Sequence, residues 1–350
     1  MRTAPLAAVI CLGLCACVWA EDEYDIKVYP CPRAYVAVVI DGALDEADWD
    51  RAPLVTGFTQ YNKPELVEPQ ASLRVMYDDT NLYFGVICDE PRMDKMTPIS
   101  RARDSSEVFH GEAIEIFVDP KHDHGSYYQF GINAAASIYD SHLTDVSWSA
   151  DARAATVLGD DFWSLEFAIP WADLGVTPEA GAVIGFNVCR DRQLGTEKLW
   201  ANWSQTKANF HDPQRFAHAV LSPDAQQLGA LEAEYRKGAR DGAIVFLGPS
   251  ALTQAAWRAL VRRALVASGA TLGEMEKLLD QEAEEGAREE FARRIAGFRA
   301  DLAGYADSVE SGKPLDVDTW KEMTTRMARM RSGLDRLVWE ARLTALLSTI

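Results

Sequence analysis

The chain has 350 residues, 48% of them hydrophobic, which is enough to bury the cores of two domains of ordinary size. Its formal net charge is −18, and residues 21–224 carry the excess, with 34 Asp and Glu against 16 Lys and Arg. Such an acidic surface repels phosphate backbones, so we expect neither nucleic acid nor an anionic membrane surface as a partner.

The N-terminus predicts a secretory signal peptide over residues 1–20. Arg2 precedes an apolar run from Leu6 to Val18, and Ala20 suits cleavage. The run is too short to span a bilayer. Alternatively, the segment 14–17 is similar to a bacterial lipoprotein box, in which Cys17 would carry a lipid anchor. The protein is therefore expected to be secreted or periplasmic, with or without that anchor.

Three cysteines follow the signal peptide: Cys31, Cys88 and Cys189. An odd number in an oxidising compartment allows at most one disulfide bond within the chain. Cys88 and Cys189 both lie on apolar predicted strands, where buried free thiols and a bridge are equally compatible with the pattern. Their spacing matches no zinc site.

Alternating segments between residues 34 and 222 predict short strands separated by turns. Segments 73–77 and 82–86 alternate in this way, and the polar residues 78–81 between them have the composition of a hairpin loop. Residues 113–118 place their aliphatic side chains on one face and Glu115 on the other. Segment 127–133 repeats the alternation, with Gln129 and Gly131 on its more polar face.

Segment 163–169 alternates once more, with its large apolar residues predicted to point inward, and residues 171–175 have the pattern of a single helical turn. Short strands at this spacing, without long helical patterns between them, predict an all-β sandwich of antiparallel sheets over residues 34–222.

Six blocks and a closing segment follow one another in this region: IDGALDEADWDRA (40–52), LRVMYDDTNLYFGVICDE (73–90), GEAIEIFVDP (111–120), YYQFGIN (127–133), WSLEFAIPWADLGVTPEAG (163–181), GFNVCRDR (185–192) and FHDPQRF (210–216). Each block is interpreted as a strand with its own turn. In this order they resemble carbohydrate-binding module family 9. The resemblance implies a jelly-roll-like sandwich that binds calcium and holds the end of a glucan or xylan chain between two aromatic rings.

The resemblance also implies site residues. The two rings correspond to Phe109 and Phe210, both tryptophan in sugar-binding members, and the family's binding glutamate corresponds to Glu115. Gly131 stands where the family has a binding arginine. We expect both rings to stack on a poly- or oligosaccharide and Glu115 to accept its hydroxyl protons. The expected carbohydrate-binding set is completed by Gln129, Asn209 and Trp203.

Each of these assignments has a structural alternative. Phe109 and Phe210 would then close the ends of the sandwich, and Glu115 would accept hydrogen bonds from backbone groups. Trp200 and Trp203 alternate with polar residues, so they would either extend an aromatic platform or pack into the core at a strand end.

For the implied calcium ion, the loop-adjacent carboxylates Asp78, Asp79 and Asp119 are the candidate ligands. Catalysis is not expected. Glu112 and Glu115 are three residues apart on one strand, so they face opposite sides and cannot straddle one glycosidic bond. The chain also lacks a nucleophile elbow, a P-loop and a dinucleotide fingerprint. We therefore predict a non-catalytic carbohydrate-binding protein.

Two other functions remain open at the level of sequence. Sandwiches related to this family bind haem b for electron transfer through Met with His or Lys, and Met76, His211 and Lys207 are the candidate axial ligands. Alternatively, the sandwich is a structural scaffold and the C-terminal region makes the interactions.

After Pro223 the apolar residues follow heptads. They predict two long helices, over about 291–309 and 320–341, and a shorter helix over about 251–267. Thr271 and Thr319 each begin a capping-box pattern. The all-α region 225–350 is predicted to form a three-helix hairpin bundle closed on itself, or a coiled-coil arm that makes a homo-oligomer.

Overall fold

The computed structural model describes residues 26–63, 65–230, 244–246, 265–266, 268–277 and 285–311, together with individual positions between 326 and 343. The predicted signal peptide, Cys17 and the capping box at Thr319 lie outside these residues, as does most of the predicted helix 251–267. Secretion and lipid anchoring therefore stay predictions.

In chain order the strands are β1 (Ile26–Cys31), β2 (Thr59–Gln60), β3 (Ala71–Tyr77), β4 (Asn81–Asp89), β5 (Glu112–Asp119), β6 (Tyr128–Asn133), β7 (Ile138–His142), β8 (Arg153–Leu158), β9 (Phe162–Pro170), β10 (Val183–Leu194), β11 (Glu197–Asn202), β12 (Ala217–Leu221) and β13 (Ile244–Phe246). The helices are α1 (Ala47–Arg51), α2 (Trp171–Leu174) and α3 (Glu285–Glu310).

Two sheets form the predicted sandwich. The nine-stranded sheet has the order β13-β1-β12-β10-β5-β6-β7, and β11 pairs with β10 and with β2. The four-stranded sheet has the order β3-β4-β9-β8. Strand β10 is long enough to pair with β12 through its first half and with β11 through its second half. Pairing is antiparallel except where β1 lies parallel to β12 and β13.

The hydrophobic core lies between the sheets, because alternate side chains of both sheets point inward. Ile114, Ile116 and Val118 of β5 are completely buried there, as the alternation predicts. Phe130 of β6 meets Phe167 of β9 edge to face, with ring centroids 5.4 Å apart, so this pair joins the two sheets. Full burial of each such ring stabilises the fold by about 1.5–3 kcal/mol.

A buried ion network crosses between the sheets beside this core. The Arg190 guanidinium is 1% exposed and donates to Glu112 at 2.9 Å and Glu90 at 3.2 Å. It also donates to the main-chain carbonyls of Gln70 and Asp89. Gln70 immediately precedes β3 and Asp89 ends β4, so both belong to the side of the four-stranded sheet. Arg192 donates to Glu90 at 2.6 Å. The network fixes the second half of β10 against the start of β5.

Block 40–52 differs from its interpretation as a strand, because residues Ala47–Arg51 form helix α1. The helical turn brings Trp49 inward, where its indole N–H donates to Glu166 at 2.8 Å and its ring packs with Met76 and Tyr83. A buried indole N–H usually finds such an acceptor.

Strands β1 and β13 lie outside the predicted sandwich range 34–222. Strand β1 pairs with β12, and β13 adds to its other edge although it lies in the region predicted to be all-α. The residues Ile244, Val245 and Phe246 are β-branched or aromatic and suit an open strand edge.

The C-terminal region contains the predicted helices in part. Helix α3 confirms the helix predicted over 291–309. Its Phe291 and Ile295 pack with Leu272, Met275 and Val338, so the heptad stripe is buried within the chain. Thr271 lies inside a helical segment, 268–277, and is therefore not the predicted helix start. None of the helices that the structure describes is long and apolar enough to cross a membrane.

Cys31, Cys88 and Cys189 are buried free thiols. Burial raises the pKa of Cys88 to about 12, so its reactive thiolate is scarcely populated at neutral pH. Cys88 and Cys189 are thus free thiols and do not form the disulfide bond that the sequence left open.

Candidate functional site

A pocket of about 560 Å3 opens on the outer face of the nine-stranded sheet, the face turned away from the second sheet. Strands β5, β10 and β11 build its base, and the segments preceding β5 and β12 build its sides. We call it the outer pocket, and its lining residues are Tyr61, Phe109, His110, Glu115, Asp191, Gln193, Trp200, Ala208, Asn209, Phe210 and His211.

Two carboxyl groups form the floor of the outer pocket. Glu115 is 7% exposed and Asp191 is 3% exposed. Register places Glu115 opposite Cys189 and Ala113 opposite Asp191, so both carboxyls share the outer face of neighbouring strands. Their side chains are hydrogen-bonded to each other, and burial raises the pKa of both. A hydrogen bond between two carboxyl groups requires at least one of them to be protonated, which agrees with the direction of both pKa shifts.

Gln129 does not line the outer pocket, although the sequence analysis placed it in the sugar-binding set. Its side chain is 8% exposed and donates to Glu115 at 2.5 Å. Its amide oxygen faces the Ser141 hydroxyl at 3.5 Å. Gln129 therefore orients Glu115 from the adjacent strand and contacts a ligand only through it.

Phe109 forms one wall of the pocket by lying on Gly131. A Cβ atom at position 131 would be 2.4 Å from Cε1 of Phe109, which no packing tolerates. The ring also meets Tyr139 with centroids 5.0 Å apart. Phe109 therefore occupies the space above Gly131, the position at which the resemblance expects an arginine, and one part of its surface stays exposed to the pocket.

Phe210 lies at the opposite end of the lining and is more buried than the sequence analysis expected. It is 8% exposed and packs with Phe117, Cys189 and Phe216 on the outer face. The adjacent Tyr61 meets it edge to face at 6.1 Å. Phe210 thus borders the pocket while most of its surface packs against protein, and its stacking on a sugar stays a prediction.

Trp200 offers the most accessible large aromatic surface of the lining, since it is 39% exposed. It lies opposite Asp191 in the pairing of β10 with β11, which places it over the floor. Asn209 and Gln193 add polar groups; Gln193 is fixed by donating to the Phe109 carbonyl at 2.8 Å. Asn209 is exposed beside Phe210, and its contact with a sugar stays a prediction.

Trp203 is not a site residue, and its prediction as one is wrong. It is 0% exposed and lies in the core between the sheets, where it stacks on Phe186 with centroids 5.3 Å apart. Trp200 and Trp203 are three residues apart, and side chains that far apart on an extended segment point to opposite faces. Trp203 and Trp200 therefore fall on opposite sides of the sheet.

Sequence reasoning missed Tyr61, His110, Asp191 and Gln193 as lining residues. Asp191 had a signal, since it alternates with Arg190 and Arg192 on one strand and must face away from them. Tyr61 had no such signal. It follows β2, which is far from the other lining residues in the sequence and joins the sheet by pairing with β11.

The three carboxylates proposed as calcium ligands do not form one site. Asp78 accepts hydrogen bonds from the backbone N–H groups of Thr80 and Asn81 in the β3–β4 turn, and Asp79 pairs with Arg33. Asp119 lies on the other sheet and accepts from the backbone N–H of His124 at 2.8 Å. Among the described residues, no group of three or more His, Cys, Asp or Glu side chains could hold a metal ion. Calcium binding stays a prediction, and these three residues do not fit it.

The candidate haem ligands are also separated. Met76 is completely buried on β3, in a cluster with Trp49. His211 borders the outer pocket on the other sheet, where its Nδ1 is 2.9 Å from the Tyr127 hydroxyl. The two sides of a haem cannot be ligated by residues placed on different sheets in this way, so the structure gives the haem alternative no support.

A family model described as carbohydrate family 9 binding domain-like matches residues 40–223. Relatives include endo-1,4-beta-xylanase A of Thermotoga neapolitana, 26% identical over 195 residues, and endo-1,4-beta-xylanase A of Thermoanaerobacterium saccharolyticum, 27% identical over 203 residues. These matches cover 53% and 57% of this chain but only 17% and 16% of the relatives' length.

Among solved structures, the chain is similar to a carbohydrate binding module family 9 from Caldicellulosiruptor kristjanssonii in complex with cellotriose, and to the same module in complex with glucose. Both matches have 18% sequence identity and a TM-score of 0.43, and both cover 56% of this chain. They cover 95% and 97% of the respective modules.

Proposed function

The chain belongs to the carbohydrate family 9 binding domain-like family, and we propose that its outer pocket binds a poly- or oligosaccharide without converting it. The observation that carries this proposal is the composition of the pocket: partly exposed aromatic side chains beside two buried carboxyl groups and the accessible amide groups of Gln193 and Asn209. A sugar ring has apolar C–H faces and a rim of hydroxyl groups, so it needs both kinds of surface.

The aromatic surface is supplied mainly by Trp200, with the exposed parts of Phe109 and Tyr61. The hydroxyl partners are Glu115, Gln193 and Asn209, which line the same pocket. A volume of about 560 Å3 lies within the range of about 300–1,000 Å3 that ligand pockets have. The pocket is therefore large enough for the end of a sugar chain.

The carboxyl geometry supports binding without hydrolysis. Glu112 lies on the inner face, where it accepts from Trp163 and Arg190, so it cannot reach a ligand of Glu115. Glu115 and Asp191 are hydrogen-bonded to each other, whereas glycosidases hold their two carboxyl groups about 5 Å or more apart with the scissile bond between them. The xylanase activity of the relatives belongs to proteins of which this chain covers about a sixth.

Calorimetric titration of the full chain with cello- and xylo-oligosaccharides tests the proposal. We expect binding that weakens by about 10-fold or more in Trp200→Ala, because loss of a stacking surface costs about 1–2 kcal/mol. Trp339→Ala is the matched control, since Trp339 is 63% exposed and does not line the pocket.

The expected control result is unchanged affinity. Absence of binding to every neutral and charged oligosaccharide tried would contradict the proposal, as would equal affinities of wild type and Trp200→Ala. Circular dichroism of each variant confirms that the comparison is made between folded proteins.

A further inference from the structure

The floor of the outer pocket buries two carboxyl groups that no Lys or Arg of the described residues pairs with. Glu115 is bonded to Gln129 and Asp191, and Asp191 is bonded to Glu115. Ionisation of either carboxyl would place a negative charge there with no cation beside it. Burying such a charge without a positive partner is costly, so the floor is a site at which a positive group would be strongly favoured.

Strand periodicity explains why no arginine serves as this partner. Asp191 lies between Arg190 and Arg192 on β10, and successive side chains of a strand point to opposite faces. Both arginines therefore point inward, where they bind Glu90 and Glu112. Strand β10 thus supplies Asp191 to the floor but places its two arginines on the opposite face of the sheet.

The walls of the pocket favour a positive group as well. Trp200, Phe109 and Tyr61 present partly exposed rings over the floor, and the face of an aromatic ring attracts a cation. Polar groups for an uncharged remainder of the ligand are present in Gln193 and Asn209. The pocket thus combines a cation site with the surfaces that a sugar ring requires.

The basic groups nearby are at the rim and have other contacts. His110 Nδ1 is 3.2 Å from Glu107, and His211 Nδ1 is 2.9 Å from the Tyr127 hydroxyl. The Lys198 ammonium lies 6.0 Å from the centroid of the Trp200 ring and does not line the pocket. None of these three bonds to the carboxyl pair.

We propose that the outer pocket recognises an amino sugar, a sugar unit with a free protonated amine, whose ammonium group bonds to Glu115 and Asp191 while its ring lies against the aromatic walls. This inference rests on the proposed function and makes it specific. A neutral sugar offers hydroxyl groups to the same floor but supplies no cation for an ionised carboxyl. An N-acetylated sugar carries an uncharged amide at this position and does not supply the missing cation.

Three trisaccharides of equal length and β-1,4 linkage separate these possibilities: the glucosamine trimer, its N-acetylated form and cellotriose. Titration of the full chain at about pH 6, where a sugar amine is largely protonated, measures each affinity. We expect the glucosamine trimer to bind about 10-fold or more tightly than cellotriose, as a desolvated cation–π and carboxylate contact implies.

A salt series and a variant test the electrostatic cause. Raising the salt concentration from about 0.05 M to 0.5 M is expected to reduce the preference for the glucosamine trimer, because ions screen the attraction. In Asp191→Asn the ratio of the two dissociation constants is expected to fall to about 1. Asp94→Asn, an exposed aspartate outside the pocket, is the control in which the ratio stays as in wild type.

The outcomes distinguish the two levels of the proposal. Cellotriose binding that equals or exceeds binding of the glucosamine trimer overturns the amino-sugar inference and leaves carbohydrate binding in place. A preference that persists unchanged in Asp191→Asn also overturns it. If none of the three trisaccharides binds, both the inference and the proposed function fail.

Discussion

Strands β5 and β10 bury carboxyl groups on both faces of the same sheet, and they do so in two different ways. On the inner face, Glu90 and Glu112 are bonded to Arg190 and Arg192. On the outer face, Glu115 and Asp191 are bonded to each other and to Gln129. The two arrangements are separated by a single step along β10, because side chains alternate between faces.

The pKa values follow this difference for Glu90 but not for Glu112, whose pKa burial raises in spite of the adjacent Arg190. Burial opposes ionisation of Glu90, but hydrogen bonds from Arg192 and the backbone lower its pKa below the ordinary value overall. For Glu115 and Asp191 burial raises the pKa, and no cation opposes it. The inner carboxylates are thus part of the link between the sheets. The outer pair has no cationic partner in the described part of the chain, so a ligand is able to supply one.

The largest expected effect comes from Arg190→Met. Removing the guanidinium leaves Glu112 and Glu90 buried without one of their partners, so we expect the free energy of unfolding to fall by about 3–5 kcal/mol. Urea denaturation measures it. Arg92→Met, which removes exposed pairs with Asp94 and Glu197, is expected to cost less than about 1 kcal/mol. Equal losses in both variants would show that the inner network is no stronger than a surface pair.

Gly131→Ala tests how tightly the outer face is packed. The added Cβ would meet the Phe109 ring at 2.4 Å, so the ring or the strand must move, at a cost of about 1–3 kcal/mol. In a double-mutant cycle, Phe109→Ala should remove most of this additional cost. Additive effects of the two substitutions would mean that the ring and Gly131 do not share this space.

Asp191→Asn tests the charge on the outer pair through pH. Because the pKa of both carboxyls is raised in the folded state, the folded protein binds more protons than the unfolded chain above about pH 4. Wild-type stability should therefore decline as the pH rises through this window. We expect the variant to lack this part of the decline and to gain about 1–2 kcal/mol relative to wild type between about pH 4 and pH 8.

Denaturation at a series of pH values measures this difference. Asp94→Asn, whose pKa is lowered by its hydrogen bond with Arg92, is the control, since it should not reproduce the gain. Parallel pH profiles for wild type and Asp191→Asn would contradict the assignment of a raised pKa to the outer pair.

The smallest effect on stability is expected for Trp200→Ala. The side chain is 39% exposed at the pocket, so its loss should change the free energy of unfolding by less than about 1 kcal/mol. A larger loss in urea denaturation would show that Trp200 belongs to the packing of the outer face. It would then be unsuitable for separating binding from folding.

Much of the sandwich could be predicted because strand alternation is a local property. The faces assigned to Ile114, Ile116 and Glu115 are confirmed, as is the opposition of Glu112 to Glu115. Helix α2 also lies where the segment 171–175 predicts a helical turn, and Gly175 ends it with φ 68°. These features depend on neighbouring residues, which the sequence displays directly.

The candidate site was predicted less completely, because it is assembled from distant segments. Phe109, Glu115, Asn209 and Phe210 do line one pocket, whereas Gln129 supports it from behind and Trp203 lies in the core. Alternation puts Trp200 and Trp203 on opposite faces, but only the pairing of Trp200 with Asp191 shows which of the two belongs to the outer face.

By itself, the sequence determined most strands of the blocks between residues 73 and 192, their inward faces and the family, because periodicity and block order are properties of the chain. Only the tertiary structure decided what stands over Gly131 and what faces Asp191. Phe109 fills the first position, and Glu115 is hydrogen-bonded to Asp191 at the second. Both contacts join residues on different elements, and close packing and burial, which set the space and the charge of the pocket, arise only when those elements meet.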